Sequence, residues 1–250
     1  MHVTNYTITS PSLPASFDGF IIAHVSDLHN REFKTELIAQ IEKAKPDIIA
    51  VTGDSIHIEN QTEAAERFFT YASGIAKTYV VYGNHEKVLK CLPEFEDRIG
   101  GYVKILKNEY EVIVRDDEKI AILGMNDPAF FGGGKQEFTS KLTELQSEIR
   151  ETGINYTILL SHRPEMFERY CEAGINLSLV GHAHGGHVRL PLIGAFYAPN
   201  QGLFPKYTED IHNKGECSMV ISKGLGKSSW VPRILNPPEL CIITLRRQQL

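Results

Sequence analysis

The stretch LVGHAHGGH, residues 179–187, places His182, His184 and His187 within six positions, separated only by an alanine and glycines. A neutral imidazole nitrogen is a strong ligand for transition metals, and two imidazoles one residue apart on so pliable a segment suit metal binding better than packing. Similar residues close other segments of the chain: Asp27-Leu28-His29, Gly53-Asp54, Gly83-Asn84-His85-Glu86 and His162. Asp27, His29, Asp54, Asn84, His162, His182 and His184 together offer seven oxygen and imidazole donors and no thiolate. If one carboxylate bridges, the set fills about four positions on each of two ions. That donor mixture favours Mn²⁺, Fe or Zn²⁺ and is richer in nitrogen than a Ca²⁺ or Mg²⁺ site. Gly53, Gly83 and Gly181 each stand just before a ligand, where the backbone must turn sharply and pass close to its neighbours.

The elements that must position these residues can be read from hydropathy. Short apolar, β-branched runs end at each donor: residues 20–26, 47–52, 78–82, 156–161 and 176–180. Such runs predict strands buried on both faces. Amphipathic stretches of helical period lie between them at 33–45, 62–73, 135–150 and 164–174, the last starting on Pro164. Alternating strand and helix predicts an α/β fold with a largely parallel sheet, whose strands deliver their polar ends to one edge.

Composition sets bounds on partners. The 250 residues suit one domain, 1–250, with 42% hydrophobic and 23% charged residues and a net charge of −5. A charge of that sign gives no general attraction to nucleic-acid polymers or anionic lipid, so a phosphate-bearing partner must be held locally. The four cysteines show no C-x-x-C spacing and read as reduced, packed thiols. No signal or membrane-spanning segment is evident, which predicts a cytoplasmic protein; an amino-terminal anchor preceding this stretch would instead make it membrane-associated, with peripheral membrane contact.

The ordered set D-L-H, G-D, G-N-H-E, a lone His after a strand, and G-H-A-H resembles the calcineurin-like metallophosphoesterases. GHAHGGH followed by P…APNQGLFP.Y is similar to the bacterial YkuE-like branch, which includes UDP-2,3-diacylglucosamine hydrolases. The resemblance spans about residues 20–245 and implies a four-layer α/β/β/α sandwich of two mixed sheets flanked by helices. It implies two divalent metal ions, one held by Asp27, His29 and His184, the other by Asn84, His162 and His182, with Asp54 bridging. His85 matches a non-ligand histidine that contacts the phosphoryl group or protonates the leaving group. The implied reaction is hydrolysis of a phosphodiester, pyrophosphate or phosphomonoester by a metal-bridging hydroxide, on a small phosphate-ester substrate, with nucleotide- and lipid-linked esters among the candidates. A silent scaffold binding a partner is the alternative from another class. A metallo-hydrolase of amides is disfavoured because the H-x-H-x-D-H cluster is absent.

The chain departs from the family pattern at two places. Where many relatives carry an Asp three residues after the bridging one, this chain has His57, so the carboxylate orienting His85 is Glu86, Glu59 or none. His187 stands where relatives often have Gln, as a pocket-lining or a neutral surface residue. Arg163, at the start of a helix where the dipole favours an anion, either meets substrate phosphate or stands as a surface arginine. His24 reads as a satisfied core histidine. SKGLGKSS (222–229) reads as a Gly-rich turn near the site, since position 221 is Ile where a Walker A motif needs Gly. The apolar, Pro- and Gly-punctuated segment 189–207 reads as a long loop, either folded on the core or forming an apolar wall at the site mouth.

Overall fold

The computed structural model describes residues 1–186, 188–190, 194–227 and 233–248. The chain begins with His2–Ser10 (β1), Ile21–Val25 (β2), Lys34–Ala44 (α1), Ile48–Thr52 (β3), Glu63–Ser73 (α2) and Lys77–Val81 (β4). Leu92–Ile99 (α3), Lys104–Ile105 (β5), Glu109–Arg115 (β6), Glu118–Gly124 (β7) and Gly134–Glu151 (α4) follow. Next come Thr157–Leu160 (β8), Phe167–Glu172 (α5) and Leu177–Val180 (β9). Four two-residue strands are Arg189–Leu190 (β10), Gly194–Ala195 (β11), Tyr197–Ala198 (β12) and Gly202–Leu203 (β13). Asp210–Lys214 (β14), Cys217–Ile221 (β15) and Glu239–Arg247 (β16) complete the described elements.

The five apolar runs are strands, but they divide between two sheets rather than sharing one. The first sheet has the order β1-β16-β2-β3-β4-β5 and the second β14-β15-β9-β8-β7-β6. Each is mixed: β2, β3, β4 and β5 run parallel beside an antiparallel β16, and β7, β8, β9 and β15 run parallel between antiparallel β6 and β14. The largely parallel sheet read from periodicity is thus two mixed sheets, as the resemblance implied. Local periodicity reports that a strand is buried on both faces, not which neighbour covers it.

Strand alternation sends successive side chains to opposite faces, and this builds the layers. On β3, Ile48 and Ala50 face the other sheet and, with Tyr79 of β4, pack against its Ile122, Ile158 and Leu179. Ile49 and Val51 face outward, under Leu37 and Ile41 of α1, Phe69 of α2 and Phe95 of α3. On the far side α4 lays Phe138, Leu142, Leu145 and Ile149, a helical stripe, onto Leu123, Leu159 and Met219. Three apolar cores between four layers make an α/β/β/α sandwich. No helix among the described residues is long and apolar enough to cross a membrane.

One expectation about cysteine changes. Cys171 at the end of α5 and Cys217 at the start of β15 form a disulfide, with Cα atoms 5.4 Å apart, while Cys91 and Cys241 are free and buried. The pair is separated by 46 residues; only the packing of α5 on β15 brings it together.

His24 lies on β2 with Nε2 2.8 Å from Thr52 Oγ1, while Nδ1 is buried with no partner among the described residues. Burial pushes its pKa down to about 3 against a weaker opposing pull from Asp27. Between roughly pH 6.5 and that value the unfolded chain takes up a proton that the folded chain refuses. Stability should fall as pH drops through that window, by up to about 1.4 kcal/mol per pH unit from this group. Denaturant melts of wild type and His24→Asn across pH 4–7 test this; parallel stability–pH curves would remove His24 from the account.

Candidate metal centre

The carboxyl ends of β2, β3 and β4 meet those of β8 and β9, and the donors lie in the loops just beyond. Five of the seven, Asp27, His29, Asp54, His182 and His184, have positive φ, between 46° and 62°. Left-handed backbone is uncommon for non-glycine residues and costs on the order of 1 kcal/mol or more at each, so it persists where surrounding contacts enforce it. It turns each strand end so that its side chain points into a common space. Asp27 N–H donates to Gly53 O at 3.0 Å and His29 N–H to Asp54 O at 3.0 Å, which locks the first two loops together. Two glycines let the loops touch: a Cβ at Gly83 would lie 2.2 Å from Asp54 Oδ1, and one at Gly181 2.2 Å from Asp27 Oδ2.

Two groups of donors result. In the first, His29 Nε2 and His184 Nε2 are 3.2 Å apart, with Asp27 Oδ1 at 3.6 Å and 3.3 Å from them. Edges of this length are those of a tetrahedron around an ion with bonds of ~2.0–2.2 Å. Asp27 Oδ2 is held by Ser26 Oγ at 2.6 Å and the His182 N–H at 3.1 Å, leaving Oδ1 without a hydrogen-bond partner among the described residues. In the second, Asp54, His162 and His182 converge. The His162 Nδ1–H donates to Thr52 O at 2.6 Å, so Nε2, 3.2 Å from Asp54 Oδ2, is the nitrogen that faces the site. His162 Nε2 and Asn84 Oδ1 are also buried without hydrogen-bond partners among the described residues. Buried donors left bare in this way are costly unless something else satisfies them, and divalent cations fit.

The electrostatics are those of a buried anionic site that draws positive charge. Burial alone would raise the carboxyl pKa of Asp27, yet His184, His29 and His162 hold it well below the usual range; Asp54 is held low by His162 and His29. Burial opposes charge on His162, but Asp54 and Asp27 push its pKa up to about 10. His182 is pushed down to about 4 by burial and then by His162 and Arg163.

His85 belongs to neither of these two groups, but with His57 it forms a third cluster around His29. Its N–H donates to Asp54 Oδ1 at 3.0 Å, its Nε2 is 3.8 Å from Asp54 Oδ2, and its side chain is 25% exposed where those of Asp54, His29 and His162 are at most 1% exposed. Neither carboxylate expected to orient it does so. Glu86 is buried and accepts the N–H groups of Asp54, Ser55, Ile56 and Gly83 at 2.6–3.2 Å, cradling the loop that carries Asp54. Glu59 accepts the N–H groups of Lys90 and Cys91 ahead of α3. His57 takes the place beside His85 instead, Nδ1 to Nδ1 at 2.9 Å. Burial lowers the pKa of both imidazoles.

Of the remaining expectations, Arg163 is buried and directed inward: its guanidinium pairs with Asp127 and donates to Asn200, 3.1 Å from His182 Nε2. His187 lies outside the described residues. The Gly-rich turn packs against the first ligand loop, with Leu225 and Gly226 N–H donating to Ser26 O and Asp27 O. Within 189–207, residues 191–193 are outside the description; Ala195, Ala198 and Tyr207 are buried, whereas Phe196, Tyr197, Leu203 and Phe204 are exposed. Asp127, Asn200 and Arg233, whose Nη2 lies 3.2 Å from His184 Nδ1, were not read as site residues from sequence. Each sits in a loop with no periodic signal, and only the fold brings it near a ligand.

The sequence profile of calcineurin-like phosphoesterases matches residues 20–186. The chain belongs to that family. It is similar to the metallophosphoesterase YkuE of Bacillus subtilis, 28% identical over 261 residues covering 98% of this chain and 86% of YkuE. The phosphodiesterase YaeI of Escherichia coli is 25% identical over 238 residues, covering 90% and 82%. Among solved structures, a 5′-nucleotidase precursor from Thermus thermophilus superposes with a TM-score of 0.56 at 16% identity, over 82% of this chain and 49% of its own. The chain spans about half the length of that enzyme, and the likeness is one of fold. Family membership makes the chain a metal-dependent phosphoester hydrolase, and the paired His/Asp groups are its candidate metal sites.

Proposed function

We propose that residues 1–250 act as one catalytic domain holding two divalent transition-metal ions, Mn, Fe or Zn. Asp27, His29 and His184 hold one, Asn84, His162 and His182 the other, and Asp54 is shared. The observation that carries this reading is the place of Asp54 Oδ2, 3.2 Å from His162 Nε2 in one group and 3.8 Å from His29 Nε2 in the other. When bound, such a pair of cations supplies a water of lowered pKa and neutralises phosphoryl oxygens during in-line displacement. The protein's part is to hold the carboxylates ionised, keep the ligand imidazoles buried and aimed, and present His85 at the accessible side. From there His85 Nε2 reaches a phosphoryl oxygen or the leaving group. No serine or cysteine nucleophile is needed.

The substrate is a small phosphodiester, pyrophosphate or phosphomonoester. The turn between β12 and β13 touches His182 through Asn200 while Tyr197 and Leu203 beside it stay exposed. This favours a substrate carrying an apolar group next to its phosphate.

Metal analysis together with hydrolysis of bis(p-nitrophenyl) phosphate tests the reading. Purified protein should carry close to two ions per chain; chelation should abolish turnover, and added Mn²⁺ should restore it. A chain that binds no metal, or that hydrolyses the diester equally well after chelation, would overturn the proposal.

A further inference from the structure

We propose that Asn200 is a positioning residue that decides which nitrogen of His182 faces the metals; the inference rests on the dinuclear reading above. Asn200 lies at the turn between β12 and β13, in left-handed backbone with φ 59°. Its Oδ1 is 2.8 Å from His182 Nε2 and also accepts from Arg163 Nη1. Arg163 Nη1 itself lies 3.1 Å from the same imidazole nitrogen.

These three groups have one consistent assignment of protons. A guanidinium only donates, so the side of Asn200 turned toward Arg163 must be the carbonyl oxygen and not the NH₂. Arg163 cannot turn away, because its Nε and Nη2 are both engaged by the two oxygens of buried Asp127, one of them at 3.0 Å. That oxygen of Asn200 can only accept, so His182 Nε2 carries the hydrogen and gives it to Asn200. An amide oxygen has two lone pairs and takes both donors. With Nε2 committed, Nδ1 is the bare nitrogen left for the group of Asp54 and His162. The Asp127–Arg163–Asn200 relay thus reaches from the loop after β7, across the loop after β8, to the tautomer of a ligand. The Thr52 carbonyl does the same for His162 by taking its Nδ1–H. Partners of this kind hold a ligand histidine's ring and tautomer, and losing one typically costs ~10–100-fold in metal affinity.

Removing Asn200 should do more than loosen the ring. Arg163 would then be the remaining partner of Nε2, and because it donates, it would favour the hydrogen on Nδ1, where it blocks metal binding.

Two measurements on Asn200→Ala and Asn200→Asp test this. The first is the ¹⁵N shift pattern of the His182 imidazole in metal-free full-length protein. Wild type and Asn200→Asp, which keeps an accepting oxygen, should show the hydrogen on Nε2; Asn200→Ala should shift it toward Nδ1. The second is calorimetric titration with Zn²⁺ alone. In Asn200→Ala one of two sites should weaken by about 10–100-fold while the other is unchanged, and Asn200→Asp should restore it. An unchanged tautomer and two unchanged affinities in Asn200→Ala would overturn the role of Asn200 while leaving the dinuclear reading in place. Equal weakening of both sites with a lowered Tm would overturn it too, by making Asn200 merely structural. Fewer than two Zn²⁺ sites in wild type would instead strike the dinuclear reading, and the imidazole spectrum would still decide the tautomer.

Discussion

Asp54→Ala is expected to strip both metal positions at once and to lower turnover of a chromogenic diester by about 10³ or more, the scale of losing fixed charge stabilisation at a reacting centre. The expectation follows from where Asp54 sits. Its Oδ2 is within 3.8 Å of imidazoles from both donor groups, and its Oδ1 accepts the His85 N–H, so the deletion disturbs two sites and the backbone of a third residue. It also removes the carboxylate that most strongly raises the His162 pKa, leaving the weaker pull of Asp27 and Asp127. Asp27→Ala should behave differently, because Asp27 Oδ1 faces His29 and His184. Metal analysis by mass spectrometry of the purified variants is the direct check. If Asp54→Ala kept one ion at full occupancy, Asp54 would belong to one site only.

His85→Ala is expected to keep its metals and lose turnover by roughly 10²–10⁴, the range for a lost general acid or base. The geometry separates the two properties. His85 touches Asp54 through its backbone N–H, which alanine retains, while its imidazole is partly exposed. If that imidazole protonates the leaving group, esters with good leaving groups should lose least, since they need no proton. Two phenyl phosphodiesters of different leaving-group pKa, compared in both proteins, measure this. A variant short of metal would make His85 a ligand, and equal losses on both substrates would assign it to the phosphoryl oxygens. His57→Ala, which removes the imidazole 2.9 Å from His85 Nδ1, should show a weaker form of the same selectivity with metal content intact.

The convergence of the candidate donors was legible because each follows an apolar run, and a buried strand announces itself within four to six residues of sequence. β2, β3, β4, β8 and β9 lie within a residue or so of the runs that predict them, as do α1, α2 and α4. The partner of β1 was not legible: it is β16, with His2 opposite Glu239, and no local pattern reports a pairing across the whole chain. The disulfide between Cys171 and Cys217 was hidden for the same reason.

What the sequence by itself determined is the chemistry: seven donors, no thiolate, glycines where loops must touch, and strands to carry them. These depend on residue type and near-neighbour spacing, which the chain states directly. Tertiary structure alone decided the arrangement. It split the strands between two sheets, aimed five candidate donors through left-handed backbone, set Glu86 under the Asp54 loop and His57 beside His85, and brought Asp127 and Asn200 to Arg163 and His182. Hydrogen bonds such as these join residues tens of positions apart, and their partners are chosen by how twisted sheets and loops pack, which no local periodicity encodes.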